Sequence, residues 1–149
     1  MQLFLAESVL RAVAAAGVAA YPRECCGILL GRFHPDRAIA THAIIAPNIA
    51  ELGEQHQRYI LDPLVFLRAQ RVAEAMGTDI VGFYHSHPDH PAQPSVFDAE
   101  HAWQGYFYVI VCITREGPQE VRAYGLCDDQ SAVMREIPLV LVSEPDSAF

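Results

Sequence analysis

His85-Ser86-His87-Pro88 is the stretch of this chain whose residue types and spacing could do chemistry. Two histidines separated by one residue on a β-strand project to the same face, because strand side chains alternate. Two imidazoles on one side can chelate one metal ion without bending the backbone. Asp98 follows at the start of an expected helix, across a loop stiffened by Pro88, Pro91 and Pro94. Two histidines and one carboxylate leave the fourth position of a tetrahedral ion open to water, the arrangement of a catalytic zinc site and not of a closed structural one. Zinc would bring the pKa of that water to about 7. Spacing alone leaves the plainer reading open, in which His85 and His87 are ordinary strand histidines at a loop mouth. His90 and His101 could approach the same site, although no spacing selects them; His34, His42 and His56 are expected to face solvent.

Such a pair needs a strand to carry it and a helix to bring the carboxylate. Asp79 to Tyr84 has strand character and delivers the chain to His85. Ser95 to Gln104 can form the helix, with Ser95 as its N-cap and Asp98 in its first turn. Upstream, Ala6 to Ala20 has helical composition and ends at Gly17 or Pro22. Cys25 to Gly31 reads as a buried strand, and Ala38 to Ala46 as a second strand closed by Pro47. Asn48 to Gln57 is loop-like. Asp62-Pro63 opens a helix that Gly77 closes. Tyr106 to Thr114 and Glu120 to Leu126 predict a hairpin around Gly117-Pro118, and Val133 to Val142 a final strand. Trp103 is expected in the core, with Phe107 and Tyr108 divided between core and surface. Strands and helices interleave, so the expected class is mixed α/β, one domain over 1–142 with a flexible tail over 143–149.

Composition supports a folded domain: 149 residues, 52% hydrophobic and 19% charged. The net charge of −8 comes without any basic cluster. Nucleic acid and anionic membrane are therefore disfavoured as partners, and a cationic patch on a protein fits better. No apolar run approaches the roughly 18 residues that span a bilayer. Cys25, Cys26, Cys112 and Cys127 form no spaced disulfide framework, and Cys25 and Cys26 read as small buried residues beside Gly27. A reducing cytoplasm is the expected setting.

Together, His85-Ser86-His87-Pro88, Ser95 and Asp98 with an upstream glutamate resemble the JAMM motif of the MPN metalloprotease family. Glu24-Cys25-Cys26-Gly27-Ile28-Leu29-Leu30-Gly31 is similar to the strand that carries that family's glutamate. The resemblance runs from about Ala6 to Ala123. It implies a curved mixed sheet of cytidine-deaminase-like type flanked by helices, and one zinc ion per chain on His85, His87 and Asp98. It also implies that Glu24 takes the proton of the attacking water and passes it to the leaving amine, and that Ser95 donates to the tetrahedral oxyanion. Without the motif, Glu24 would read as a surface residue ahead of a strand and Ser95 as a plain N-cap.

The chain looks most like the compact prokaryotic branch, including the segment from Asn48 to Pro63 with Tyr59. That branch implies a substrate: a ubiquitin-like sulfur-carrier protein, cut after its C-terminal Gly-Gly to release cysteine or trailing residues. A deubiquitinase-like isopeptidase and a non-catalytic MPN scaffold are the alternatives, and an exposed sheet edge leaves room for a homodimer. A zinc deaminase would need His-x-Glu and a later Pro-Cys-x-x-Cys, and neither is present.

Overall fold

Pro138 organises the sheet from its far end. Proline cannot donate to a strand ladder, and here it splits the strand-like stretch 134–142 into two strands that part company. In this computed structural model the strands are β1 (Gln2–Ala6), β2 (Cys26–Phe33), β3 (Arg37–Ala46), β4 (Asp79–Pro88), β5 (Phe107–Thr114), β6 (Gly117–Leu126), β7 (Met134–Ile137) and β8 (Leu139–Val142). They form one sheet in the order β7-β6-β5-β4-β2-β3-β1-β8. Consecutive strands β7 and β8 thus stand at opposite ends, so the sheet curves until its ends meet at Pro138. The single final strand expected over Val133 to Val142 is corrected to these two. The structure describes residues 1–126 and 133–143. Cys127 and the expected tail, apart from Ser143, lie outside the described residues.

Among the described residues three α-helices flank the sheet: α1 (Glu7–Ala20), α2 (Pro63–Met76) and α3 (Val96–His101). The short apolar start is β1, so α1 begins at Glu7, and it continues through Gly17. Asp62 caps α2 by accepting from the Leu64 amide at 2.9 Å, and Gly77 closes it at φ 69° in the left-handed region. The β5–β6 turn is tighter than expected. Thr114 pairs with Gly117, which leaves Arg115-Glu116 as the turn and puts Pro118 inside β6.

Both sheet faces are covered, in a fold that is a single mixed α/β domain. On one face Val9 and Val13 of α1 pack with Leu5, Leu29, Tyr84 and Val111. On the other, Ala69 and Ala73 of α2 pack with Ile28, Leu30, Phe83 and Ile110. Each large apolar side chain so buried contributes about 1.5–3 kcal/mol. Phe107 and Tyr108 are accordingly both buried, one in each core, where a core–surface division was expected. β4 lies centrally, antiparallel to β2 and parallel to β5. A Cβ on Gly82 would collide with the Phe107 backbone, so this glycine permits the close β4–β5 approach. Among the described residues no helix is long and apolar enough to cross a membrane.

Candidate metal centre

β4 continues through His85, Ser86, His87 and Pro88, so both histidines sit on a strand, His85 paired with β2 and β5 and His87 with β5. Cys26 lies opposite His85 on β2, while Ile110 and Cys112 of β5 lie opposite His85 and His87. By alternation both imidazoles share the face of Phe83, the α2 side. Asp98 reaches them from α3, whose entry is a reciprocal cap. Ser95 Oγ accepts from the Asp98 amide at 3.0 Å, and the Ser95 amide donates to Asp98 Oδ2 at 2.9 Å. The helix stops at His101, short of the expected Gln104, which places Trp103 on the surface.

Three donor atoms converge. His85 Nε2 and His87 Nε2 stand 3.1 Å apart, and Asp98 Oδ2 lies 3.2 Å from the first and 3.1 Å from the second. Ligand atoms of a tetrahedral ion at zinc–nitrogen and zinc–oxygen bond lengths would be about 3.3 Å apart. The triangle therefore already has nearly the size of one face of such a coordination shell.

Protonation supports the same use. His87 Nδ1 lies 2.8 Å from the Pro91 carbonyl, which can only accept, so in the neutral ring Nδ1 carries the proton and Nε2 turns a bare lone pair to the centre. Burial works against a charged His87, but Asp98 and the Pro91 carbonyl outweigh it and raise its pKa. Burial lowers that of the fully enclosed His85, against the pull of Asp98. Burial alone would raise the Asp98 carboxyl; the two imidazoles and the Ser95 amide overcome it and hold Asp98 ionised far below the usual carboxylate range. One carboxylate and two imidazoles buried together suit a divalent cation.

Glu24 comes from the residue pair ahead of β2. Ser86 fixes its neighbour: Ser86 Oγ accepts from the Cys25 amide at 2.8 Å, and the Ser86 amide donates to the Cys25 carbonyl at 3.1 Å. The Glu24 carboxylate then lies with both imidazoles, their ligand atoms all within 4.8 Å of one another. It is buried, and its Oε1 has no hydrogen-bond partner. Burial pushes its pKa up to about 8, with Asp98 adding and His87 opposing. The structure thus brings Glu24, His85, His87, Ser95 and Asp98 together. A buried carboxyl with a free oxygen beside a cation site can take up and hand on a proton.

Other residues divide. His90 and His101 stay outside the triangle: His90 meets only the edge of the His87 ring, at 6.4 Å between centroids, and His101 stacks on Phe97. No spacing marks Tyr59 as a contact of the site, yet its ring stacks on His85 at 4.6 Å between centroids. Trp103, expected in the core, is exposed and meets Phe66 and Phe83 edge-on. It borders an apolar groove of about 760 Å³ between α2 and α3 that reaches Tyr59 and Asp98. Aromatic spacing alone could not have told this wall from core, because the early end of α3 decides it.

Residues 6–126 match the family described as prokaryotic homologs of the JAB domain. The chain belongs to this family. The JAB chain is 40% identical over 90 residues to a desampylase of Haloferax volcanii, covering 60% of this chain and 62% of that protein. It thus spans about three fifths of that relative's length. It is 33% identical over 113 residues to a Thermus thermophilus protein named "Probable TtuB-protein conjugate cleaving protease", covering 76% of this chain and 68% of that one. In fold it is similar to protein DSY2949 of Desulfitobacterium hafniense, with a TM-score of 0.83 at 24% identity over 97% of this chain and 95% of that one. The curved sheet and its flanking helices agree with the MPN/JAMM fold.

Proposed function

We propose that this JAB chain is a zinc-dependent metallopeptidase or isopeptidase that hydrolyses the bond after the C-terminal Gly-Gly of a ubiquitin-like sulfur-carrier protein, releasing cysteine or trailing residues. The observation that carries the reading is the 3.1–3.2 Å triangle of His85, His87 and Asp98 donor atoms with the buried Glu24 carboxylate beside it. The similarity to a desampylase and to a conjugate-cleaving protease supports the substrate class. On the same reading, residues 1–142 form the catalytic domain, its sheet is cytidine-deaminase-like, and the chain works in the cytoplasm, where two copies can pair.

His85, His87 and Asp98 would hold the zinc. When bound there, zinc supplies a Lewis acid that polarises the scissile carbonyl and acidifies water near neutral pH. Everything else falls to the chain. Glu24 Oε1, free of any partner, receives the proton of the attacking water, and Glu24 returns it to the leaving amine. Ser95 Oγ already accepts from the Asp98 amide, so its own hydrogen remains available to the tetrahedral oxyanion. The groove walled by Tyr59, Phe66, Phe97 and Trp103 takes the apolar residues of the carrier tail. The two glycines of the tail then lie beside the donor triangle.

The test is mass spectrometry of a sulfur carrier bearing a C-terminal cysteine adduct after incubation with the zinc-loaded protein. A product ending in Gly-Gly is expected. An untouched adduct alongside cleaved isopeptide conjugates would transfer the reading to a deubiquitinase-like isopeptidase. No cleavage of either, with zinc bound, would point to a non-catalytic scaffold. His85→Ala or Asp98→Ala should lower zinc content, and a normal content would refute the ligand assignment.

A further inference from the structure

Glu24 lies outside the β2 ladder, so something other than sheet pairing must hold it. Its backbone ends on the 48–61 loop. The Glu24 amide donates to the Gln55 carbonyl at 2.7 Å, and the Glu24 carbonyl accepts from Asn48 Nδ2 at 3.1 Å. Asn48, just past the end of β3, spends its whole side-chain amide in this way. Its Nδ2 also donates to the Arg58 carbonyl at 3.0 Å, while its Oδ1 accepts from the Ala50 and Ile60 amides at 3.0 and 3.1 Å. Two carbonyls on one side and two N–H groups on the other leave only one orientation for the group.

The loop folds back on itself around this residue. Asn48 and Leu61 form an isolated antiparallel bridge, and the Ile49 amide donates to the Ile60 carbonyl at 3.0 Å. The buried Gln55 side chain donates to the Asn48 and Ala50 carbonyls at 3.1 and 2.8 Å. The same loop carries Tyr59 onto the His85 ring. One asparagine thus ties the residue ahead of β2 to the segment that covers a histidine of the centre.

We propose that Asn48 is a positioning residue for Glu24: its amide pins the Glu24 carbonyl to the 48–61 loop and so sets where the carboxylate meets the reacting atoms. The proposal rests on the reading of Glu24 as the proton carrier. Asn48→Asp tests it, because aspartate keeps an acceptor for Ala50 and Ile60 and loses the Nδ2 donor to the Glu24 and Arg58 carbonyls. In the metal-free protein, freeing the Glu24 carbonyl should loosen the neighbouring bond from the Glu24 amide to the Gln55 carbonyl, so hydrogen exchange at that amide should speed up about tenfold while the Ala50 and Ile60 amides stay protected. In the zinc-loaded protein kcat should fall about 10- to 100-fold, with KM and zinc content unchanged.

Unchanged exchange at Glu24, or an unchanged kcat, would overturn the proposal. So would loss of zinc or of Ala50 and Ile60 protection, which would make Asn48 a general support of the loop. Asn48→Ala, which drops all four bonds, is the second variant. A kcat loss no larger than that of Asn48→Asp supports the donor side, which holds the Glu24 and Arg58 carbonyls, as the one that matters, and a loss at least tenfold larger assigns the role to the loop. If the unaltered protein cleaves no carrier, the functional reading fails, and exchange at Glu24 in the metal-free protein still decides the tether.

Discussion

Glu24 concentrates the chemistry of this molecule in one carboxyl group, buried, with Oε1 unpartnered and its pKa pushed up to about 8, chiefly by burial. A carboxyl whose folded pKa exceeds its unfolded value of 4.5 contributes its full stability below pH 4.5 and loses it as pH rises through about 8. In the metal-free protein, then, Glu24→Gln should raise the thermal midpoint at pH 8 by several degrees and leave it nearly unchanged at pH 4. Calorimetry across that range checks the sign, and a midpoint indifferent to the substitution at pH 8 would mean that the carboxylate is solvated. The zinc-loaded variant should keep its metal and lose cleavage. Next door, burial pushes the Cys26 thiol up to about 12, with Sγ lying against the Ala46 and Pro47 carbonyls. Alkylation depends on thiolate. Iodoacetamide at pH 8 should therefore leave Cys26 unmodified in the folded protein and label it in denaturant, as peptide mass spectrometry can read.

Among the elements, α3 joins stability and function most directly. Ser95 caps it and Asp98 completes the box. Ser95→Ala should cost about 1 kcal/mol of stability through the lost cap and about 100- to 1,000-fold in kcat through the lost oxyanion donor. Denaturant unfolding of the metal-free protein separates the first effect from the second. A kcat within about tenfold of normal would leave Ser95 as an N-cap alone. This much of the site was legible because it is local: His85 and His87 share a face by strand alternation, and Ser95 and Asp98 are one helical turn apart. The Asp62 and Gly77 ends of α2 were legible for the same reason. The 48–61 loop was not. Asn48 reaches Glu24 through a side-chain bond between segments 24 residues apart, and no periodicity encodes such a contact. Trp103 was misplaced because the length of α3 depends on what it packs against. Gly82 likewise gave no sign that a parallel neighbour would need the space of its missing Cβ.

At the scale of the whole molecule, the strand pattern announced a mixed α/β domain but not how the sheet closes. The chain between Met134 and Val142 has strand character on both sides of Pro138, and the pairing of β7 with β6 and of β8 with β1 takes its halves to opposite ends of the sheet. β8 thereby covers β1 in parallel from Leu3 to Ala6, and the Leu3 amide donates to the Pro138 carbonyl at 3.0 Å. Those β1 residues lead directly into α1, whose Val9 and Val13 fill the core that backs β4. Ending the chain at Pro138 should therefore do more than remove one short strand. It bares the outer edge of β1, whose unpaired N–H and C=O groups are a template for pairing with another chain. The shortened protein should unfold at lower temperature than the 149-residue chain and self-associate. Thermal melts and light scattering after size exclusion read both outcomes. If the chain ending at Pro138 stayed in the original state with an unchanged midpoint, β8 would be an ornament on β1 and the closure at Pro138 would contribute nothing to holding the β4 site.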